Sequence, residues 1–299
     1  MSITGYLAPE GFVAELLHEL GADALETHDR LVLAAGPPRA IGWAANVWRD
    51  PVWLKIASIG DAAKQLRAIQ RNWALYSFAH HRRAALIAAK LPKVSAKPLA
   101  FGDPAPTAPL GAWTLLDPAT VLASPSCSSP FPNGEAQFVE DRAPPSRAYL
   151  KLWEAFTVLG ARPQPGETCL DLGASPGGWS WVLAQLGARV IAVDKAALDE
   201  RLMKLPNVTQ RRESAFGLDP HAIGAIDWLF SDVVCYPTRL LTLVEKFIAA
   251  GTGRNFLCTI KFQGDTDFAT QARFAAISGT RLLHLHANKH ELTWVRLGA

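Results

Sequence analysis

Cysteine is scarce: Cys127, Cys169, Cys235 and Cys258 are the only four in 299 residues, and no two form a C-x-x-C pair. Such spacing argues against a disulfide framework and against a zinc site, so no metal is expected and a reducing cytoplasm is the natural setting. Uninterrupted apolar runs of about 18 residues are also missing, as is a basic-then-apolar leader at the start, so no membrane partner is expected. Excess charge is lacking too. A formal net charge of +3 rules out a global attraction to nucleic acid, and any basic surface has to be local. Apolar side chains are plentiful at 49%, enough for the cores of two domains.

The basic charge is concentrated in one stretch. Between Arg49 and Lys97, ten lysines and arginines face only Asp50 and Asp61, with Trp53, Trp73, Tyr76 and Phe78 interleaved. Basic side chains neutralise phosphates and aromatic faces stack on unpaired bases, which makes Arg67, Arg71, Arg82 and Arg83 candidates for RNA binding. The same pattern also fits a solvated basic helix whose aromatics face a core. Nearer the start, helical spacing predicts an amphipathic helix over Ala8–Leu20, and Arg30–Ala35 reads as a strand. From Leu91 to Pro145 lie eleven of the 21 prolines. They exclude long regular elements and leave a linker or short edge strands, with Trp113–Leu116 as one strand.

After Pro145 the pattern becomes regular. Ser146 is placed to cap a helix through Tyr149, Leu152, Trp153 and Phe156. Strands at 168–172, 189–193, 207–211, 226–231 and 255–261 then alternate with helices near 177–187, 238–250 and 265–277, which predicts a mostly parallel sheet covered by helices. Strands at 280–286 and 291–296 have only four residues between them, too few for a parallel crossover, so they should form an antiparallel hairpin. The expected fold class is α/β: a Rossmann-like sheet over 141–299, with a smaller N-terminal α+β domain over 1–140.

The sheet is organised around Asp171-Leu-Gly-Ala-Ser-Pro-Gly-Gly-Trp179. This is a strand, a glycine loop and a helix start, where backbone N–H groups face a ligand at the carboxyl edge of the sheet. Gly173, Gly177 and Gly178 do not follow G-x-G-x-x-G, so the spacing disfavours a dinucleotide, while a purely structural turn stays open. The candidate cofactor-binding residues are Asp171, Gly173, Ser175, Pro176, Gly177, Gly178 and Trp179. Asp194 joins them, ending the next strand where a carboxylate can accept from ribose hydroxyls. Glu213, beside Ser214, is placed for an adenine. Asp232 and Lys261 each end an apolar strand, and Glu291 begins the antiparallel one, so these three charges converge on the same edge. Lys151 on the preceding helix can add a second lysine. The bland alternative for this set is a surface ion-pair cluster.

Ser146-Arg-Ala-Tyr-Leu-Lys151, the Asp171–Trp179 loop, Ser231-Asp232, Lys261-Phe-Gln-Gly264 and His290-Glu291 together resemble the FtsJ-like ribose 2'-O-methyltransferases. The resemblance implies S-adenosylmethionine as cofactor and a catalytic Lys-Asp-Lys-Glu tetrad at Lys151, Asp232, Lys261 and Glu291, with Asp232 also near the cofactor. It implies an RNA partner, specifically a cytidine ribose of large-subunit (23S) rRNA, with Arg147 contacting RNA. Residues 1–140 are then expected to be a reduced THUMP-like RNA-binding domain with a proline-rich linker. A tRNA or mRNA-cap substrate, or an inactive RNA-binding or ribosome-assembly factor, are the alternatives.

Overall fold

The computed structural model describes residues 2–94 and 97–298. The chain divides into two compact units, Met1–Val139 and Glu140–Ala299.

Unit 1 is α+β and contains two four-stranded sheets. Its elements are β1 (Ile3–Leu7), α1 (Val13–Leu20), β2 (Ala24–His28), β3 (Leu31–Ala35), β4 (Asn46–Trp48), β5 (Val52–Lys55), α2 (Ile59–Ile69), β6 (Trp73–Leu75), α3 (His81–Ala88), β7 (Gly111–Asp117) and β8 (Thr120–Ser124). The first sheet has the order β2-β3-β1-β4 and the second β5-β8-β7-β6. Two expectations need correction here. The helix expected over Ala8–Leu20 starts at Val13, because Pro9 and Gly11, the latter at φ +84°, hold the chain in a turn after β1. The proline-rich stretch supplies the two inner strands of the second sheet rather than edge strands. Its prolines bound these strands without interrupting them: Pro118 sits in the β7–β8 turn, where the Asp117 carboxylate accepts from the Ala119 N–H at 2.7 Å, and Pro125 follows β8. Both strands are largely buried, and Trp113, Leu115, Val121 and Ala123 join Leu66 and Trp73 in one core.

Unit 2 is a seven-stranded α/β sheet. In chain order it comprises α4 (Tyr149–Leu159), β9 (Thr168–Leu172), α5 (Gly178–Gln185), β10 (Arg189–Val193), α6 (Glu200–Met203), β11 (Val208–Arg211), α7 (Pro220–Ile223), β12 (Ile226–Ser231), α8 (Pro237–Ala250), β13 (Gly253–Lys261), α9 (Phe268–Ala276), β14 (Thr280–Leu283) and β15 (Glu291–Arg296). The spatial order is β11-β10-β9-β12-β13-β15-β14. β9 to β13 run parallel, while β15 is antiparallel to both its neighbours. This is the Rossmann-like sheet and terminal hairpin that the strand spacing predicts. The order turns back between β9 and β12, so the crevice at the carboxyl ends of those two strands is the place for a ligand. Phe230, Phe247, Phe256 and Trp294 are fully buried, and β12 reads as a near-continuous apolar run because both faces of a parallel strand are covered. Ser146 does not cap α4: the helix starts at Tyr149 after Ala148 with no side-chain cap.

Candidate active site

The glycine loop joins β9 to α5 at the sheet's carboxyl edge, and its glycines are set by close packing. At Gly173, φ is +76° and an added Cβ would lie 2.7 Å from the Val233 Cα. A Cβ added at Gly177 (φ +119°) would clash with the Leu202 side chain, and one added at Gly178 with the Ser146 hydroxyl. Two residues expected to bind a cofactor, Asp171 and Trp179, are buried beneath this loop. The Asp171 carboxylate is enclosed and accepts from the Ser180 hydroxyl at 2.6 Å; burial pushes its pKa up to about 7, against the opposing pull of that hydroxyl. Trp179 donates its indole N–H to the Ala148 carbonyl at 2.9 Å and meets Phe230 edge-on.

Asp194 stands at the end of β10, tied into the same loop. One carboxylate oxygen accepts from the Ser175 N–H at 3.0 Å and the other from the Ala196 N–H at 2.9 Å. The carboxylate is thereby held in one orientation while each oxygen keeps a lone pair for a further donor. Ser175 turns its hydroxyl to the Ala197 carbonyl at 2.9 Å, and Pro176 follows it through a cis peptide. Glu213 is paired with Arg211 at 2.5 Å on a half-exposed edge.

The four charged residues converge. Register pairs Lys261, the last residue of β13, with Glu291, the first of β15, and Asp232 follows the last residue of β12. Lys151 lies in the first turn of α4. Its ammonium is 3.1 Å from Asp232 and 2.6 Å from Glu291, and the Lys261 amine is 3.1 Å from the same Asp232 oxygen. Lys261 also donates to the Asp232 backbone carbonyl. All four side chains are largely buried, which sets them apart from a solvated surface cluster. Burial pulls the Lys151 pKa down, but the two carboxylates outweigh it and the net shift is upward. Lys151 is therefore a fixed ammonium.

One residue of this site has no sequence expectation. Glu154, one turn after Lys151 on α4, is buried and accepts from the backbone N–H groups of His286 and Ala287 in the β14–β15 loop. It clamps the loop that delivers Glu291. Burial raises its carboxyl pKa to about 7 despite those two donors.

Residues 144–261 match the family model of FtsJ-like methyltransferases. Lys151, the whole glycine loop, Asp194, Asp232 and Lys261 lie inside the matched segment, and Glu291 lies beyond it. The chain is 35% identical to ribosomal RNA large subunit methyltransferase M of Methylococcus capsulatus over 216 residues, 70% of this chain and 56% of that one. It is 40% identical to the protein of the same name from Alkalilimnicola ehrlichii over 44% of this chain and 37% of that one. The chain thus spans about half, or less, of the length of these relatives. Among solved structures it is similar to the fibrillarin pre-rRNA processing protein of Methanococcus jannaschii, with 18% identity and a TM-score of 0.37 over 50% of this chain and 75% of that chain.

Among the arginines considered for RNA, Arg67, Arg71, Arg82 and Arg147 are exposed and Arg83 is half-buried. Arg67 donates to the Lys90 carbonyl at 2.9 Å, the Arg83 Nε is buried, and Arg147 pairs with Glu140 at 2.7 Å on an exposed surface. The interleaved aromatics divide: Trp73 and Tyr76 are buried in unit 1, whereas Trp53 is exposed. The packing explanation therefore accounts for the first two.

Proposed function

We propose that the chain transfers a methyl group from S-adenosylmethionine to a ribose 2'-hydroxyl of RNA, and that its substrate is a cytidine of large-subunit rRNA. The observation that carries the reaction type is the Lys151–Asp232–Lys261–Glu291 cluster beside the glycine loop; the relatives' name supports the rRNA substrate. The residues present suit this cofactor. The glycine loop brings bare backbone and the start of α5 to the crevice, and the fixed Asp194 carboxylate keeps acceptor capacity suited to ribose hydroxyls. S-adenosylmethionine supplies an activated methyl on a sulfonium, so the protein has only to position the hydroxyl and take its proton.

Lys261 is the group for that task. Two acceptors, the Asp232 carboxylate and the Asp232 backbone carbonyl, lie within reach of its nitrogen. A neutral amine has two N–H groups and one lone pair; with both N–H groups turned to Asp232, the lone pair faces the third direction, where a hydroxyl can bind. The fixed Lys151 ammonium neutralises Asp232 and Glu291. Alignment of the hydroxyl with the methyl group supplies the remaining advantage.

The test is transfer of labelled methyl to total bacterial rRNA lacking native ribose methylation, comparing the chain with Lys261→Ala. Alkali-resistant label that the variant loses is the expected result. Demonstrable cofactor binding without transfer to rRNA or to assembly particles overturns the rRNA assignment.

A further inference from the structure

The segment joining β12 to α8 carries the two most exposed large apolar side chains identified among the described residues, Val234 at 72% and Tyr236 at 64%. Their exposure is not a sign of a loose loop. Val233 packs its Cα against Gly173, Cys235 is buried, and Pro237 is buried at the first position of α8. Burial alternates along Val234-Cys235-Tyr236-Pro237 as exposed, buried, exposed, buried, so the buried Cys235 and Pro237 anchor a segment that holds Val234 and Tyr236 out to solvent. Tyr236 itself is extended at φ −64°, ψ 144°, and its carbonyl accepts from the Arg239 N–H of α8 at 3.0 Å. An aromatic ring and a branched aliphatic side chain are thus displayed at fixed positions.

Their place decides what fits. Asp232 begins the segment and holds Lys261, and Tyr236, four residues on, lies at most about 14 Å from it, the reach of a fully extended chain. A nucleotide whose ribose lies at Lys261 has its base within that reach. We infer that Tyr236 and Val234 form a platform on which an unpaired nucleobase of the RNA stacks, holding the target ribose against Lys261. This rests on the reading of the chain as an RNA ribose methyltransferase. Stacking on an aromatic face accepts any base, because each has a π-face. The platform therefore provides position, and it requires the target strand to be single-stranded or the base to be turned out of a helix.

The experiment measures binding of a short single-stranded RNA to the full chain saturated with S-adenosylhomocysteine, for wild type, Tyr236→Ala, Tyr236→Phe and Val234→Ser. Binding is independent of turnover. We expect Tyr236→Ala to weaken it about 5- to 100-fold, Val234→Ser to weaken it by less, and Tyr236→Phe to stay within twofold, with unchanged S-adenosylhomocysteine affinity and melting temperature in all three. Tyr236→Ala within twofold of wild type overturns the platform, as does a Phe variant as weak as Ala. Methyl transfer by wild type is scored separately. RNA binding of the expected pattern without transfer sinks the enzymatic reading and keeps the platform, transfer with Tyr236→Ala unimpaired does the reverse, and no RNA binding by wild type sinks the platform.

Discussion

Lys151 and Lys261 share one carboxylate, yet their loss should have different consequences. Lys151 holds two acids, at 3.1 and 2.6 Å, so Lys151→Met leaves Asp232 and Glu291 facing one another with one cation fewer. We expect it to cost about 1–3 kcal/mol of stability in urea denaturation, below the full cost of breaking a buried pair because the cluster is partly solvated, and to lower methyl transfer as well. Lys261→Met should lower transfer while changing stability by less than about 1 kcal/mol, since Lys151 still neutralises Asp232. Equal destabilisation by both would refute this division of labour. Glu154 provides a pH test. Its folded pKa of about 7 lies above the ordinary 4.5, so the folded state binds more protons between those values. The stability it contributes is complete below about pH 4.5 and is lost as pH rises through 7, by at most about 3 kcal/mol. Glu154→Gln should flatten the decline in melting temperature between pH 5 and 8. The tetrad was legible because each strand-borne member is a charge adjoining an apolar strand. Glu154 was not: an acid within a helix reads as solvent-facing, and only its flanking by Trp153, Ala155 and Phe156 hinted at burial.

At the scale of elements, the glycine loop separates two reasons for glycine. Gly160 ends α4 at φ +64° with nothing within 4 Å of an added Cβ, whereas Gly173 combines φ +76° with backbone 2.7 Å away. Gly160→Ala should therefore cost only the left-handed penalty of about 1–2 kcal/mol. Gly173→Ala adds overpacking against Val233, for a total of about 2–5 kcal/mol, and should also weaken S-adenosylmethionine binding, because Val233 leads into the Asp232 segment. Melting temperatures and calorimetric titration check both; equal losses would mean that the Val233 contact yields freely. The parallel strands of unit 2 were legible as apolar runs ending in charge. The strands of unit 1 were less so. β4 and β6 have three residues each, too short for an alternation to register, and a count of prolines conceals that they fall at the ends of β7 and β8.

For the molecule as a whole, the charge distribution and not the net charge carries the expectation. A balance of +3 gives weak overall attraction to a polyanion, while the exposed Arg71 and Arg82 of unit 1 lie within the strongly basic stretch. If these two contact RNA phosphates, each releases condensed counterions, and the affinity falls with salt accordingly. Replacing both by glutamine should weaken binding uniformly across sequences and reduce the slope of log affinity against log salt by about 0.7 for each lost contact with a single strand. Both arginines belong to unit 1, and S-adenosylmethionine affinity is the control that should be unaltered. Tyr236→Ala should behave oppositely, lowering affinity with no change of slope, because a stacked base releases no counterion. Filter binding of labelled RNA from 50 to 300 mM salt separates the two effects. An unchanged slope in the double glutamine variant would assign the basic stretch of unit 1 to a solvated surface and leave RNA attraction to other cations of the chain.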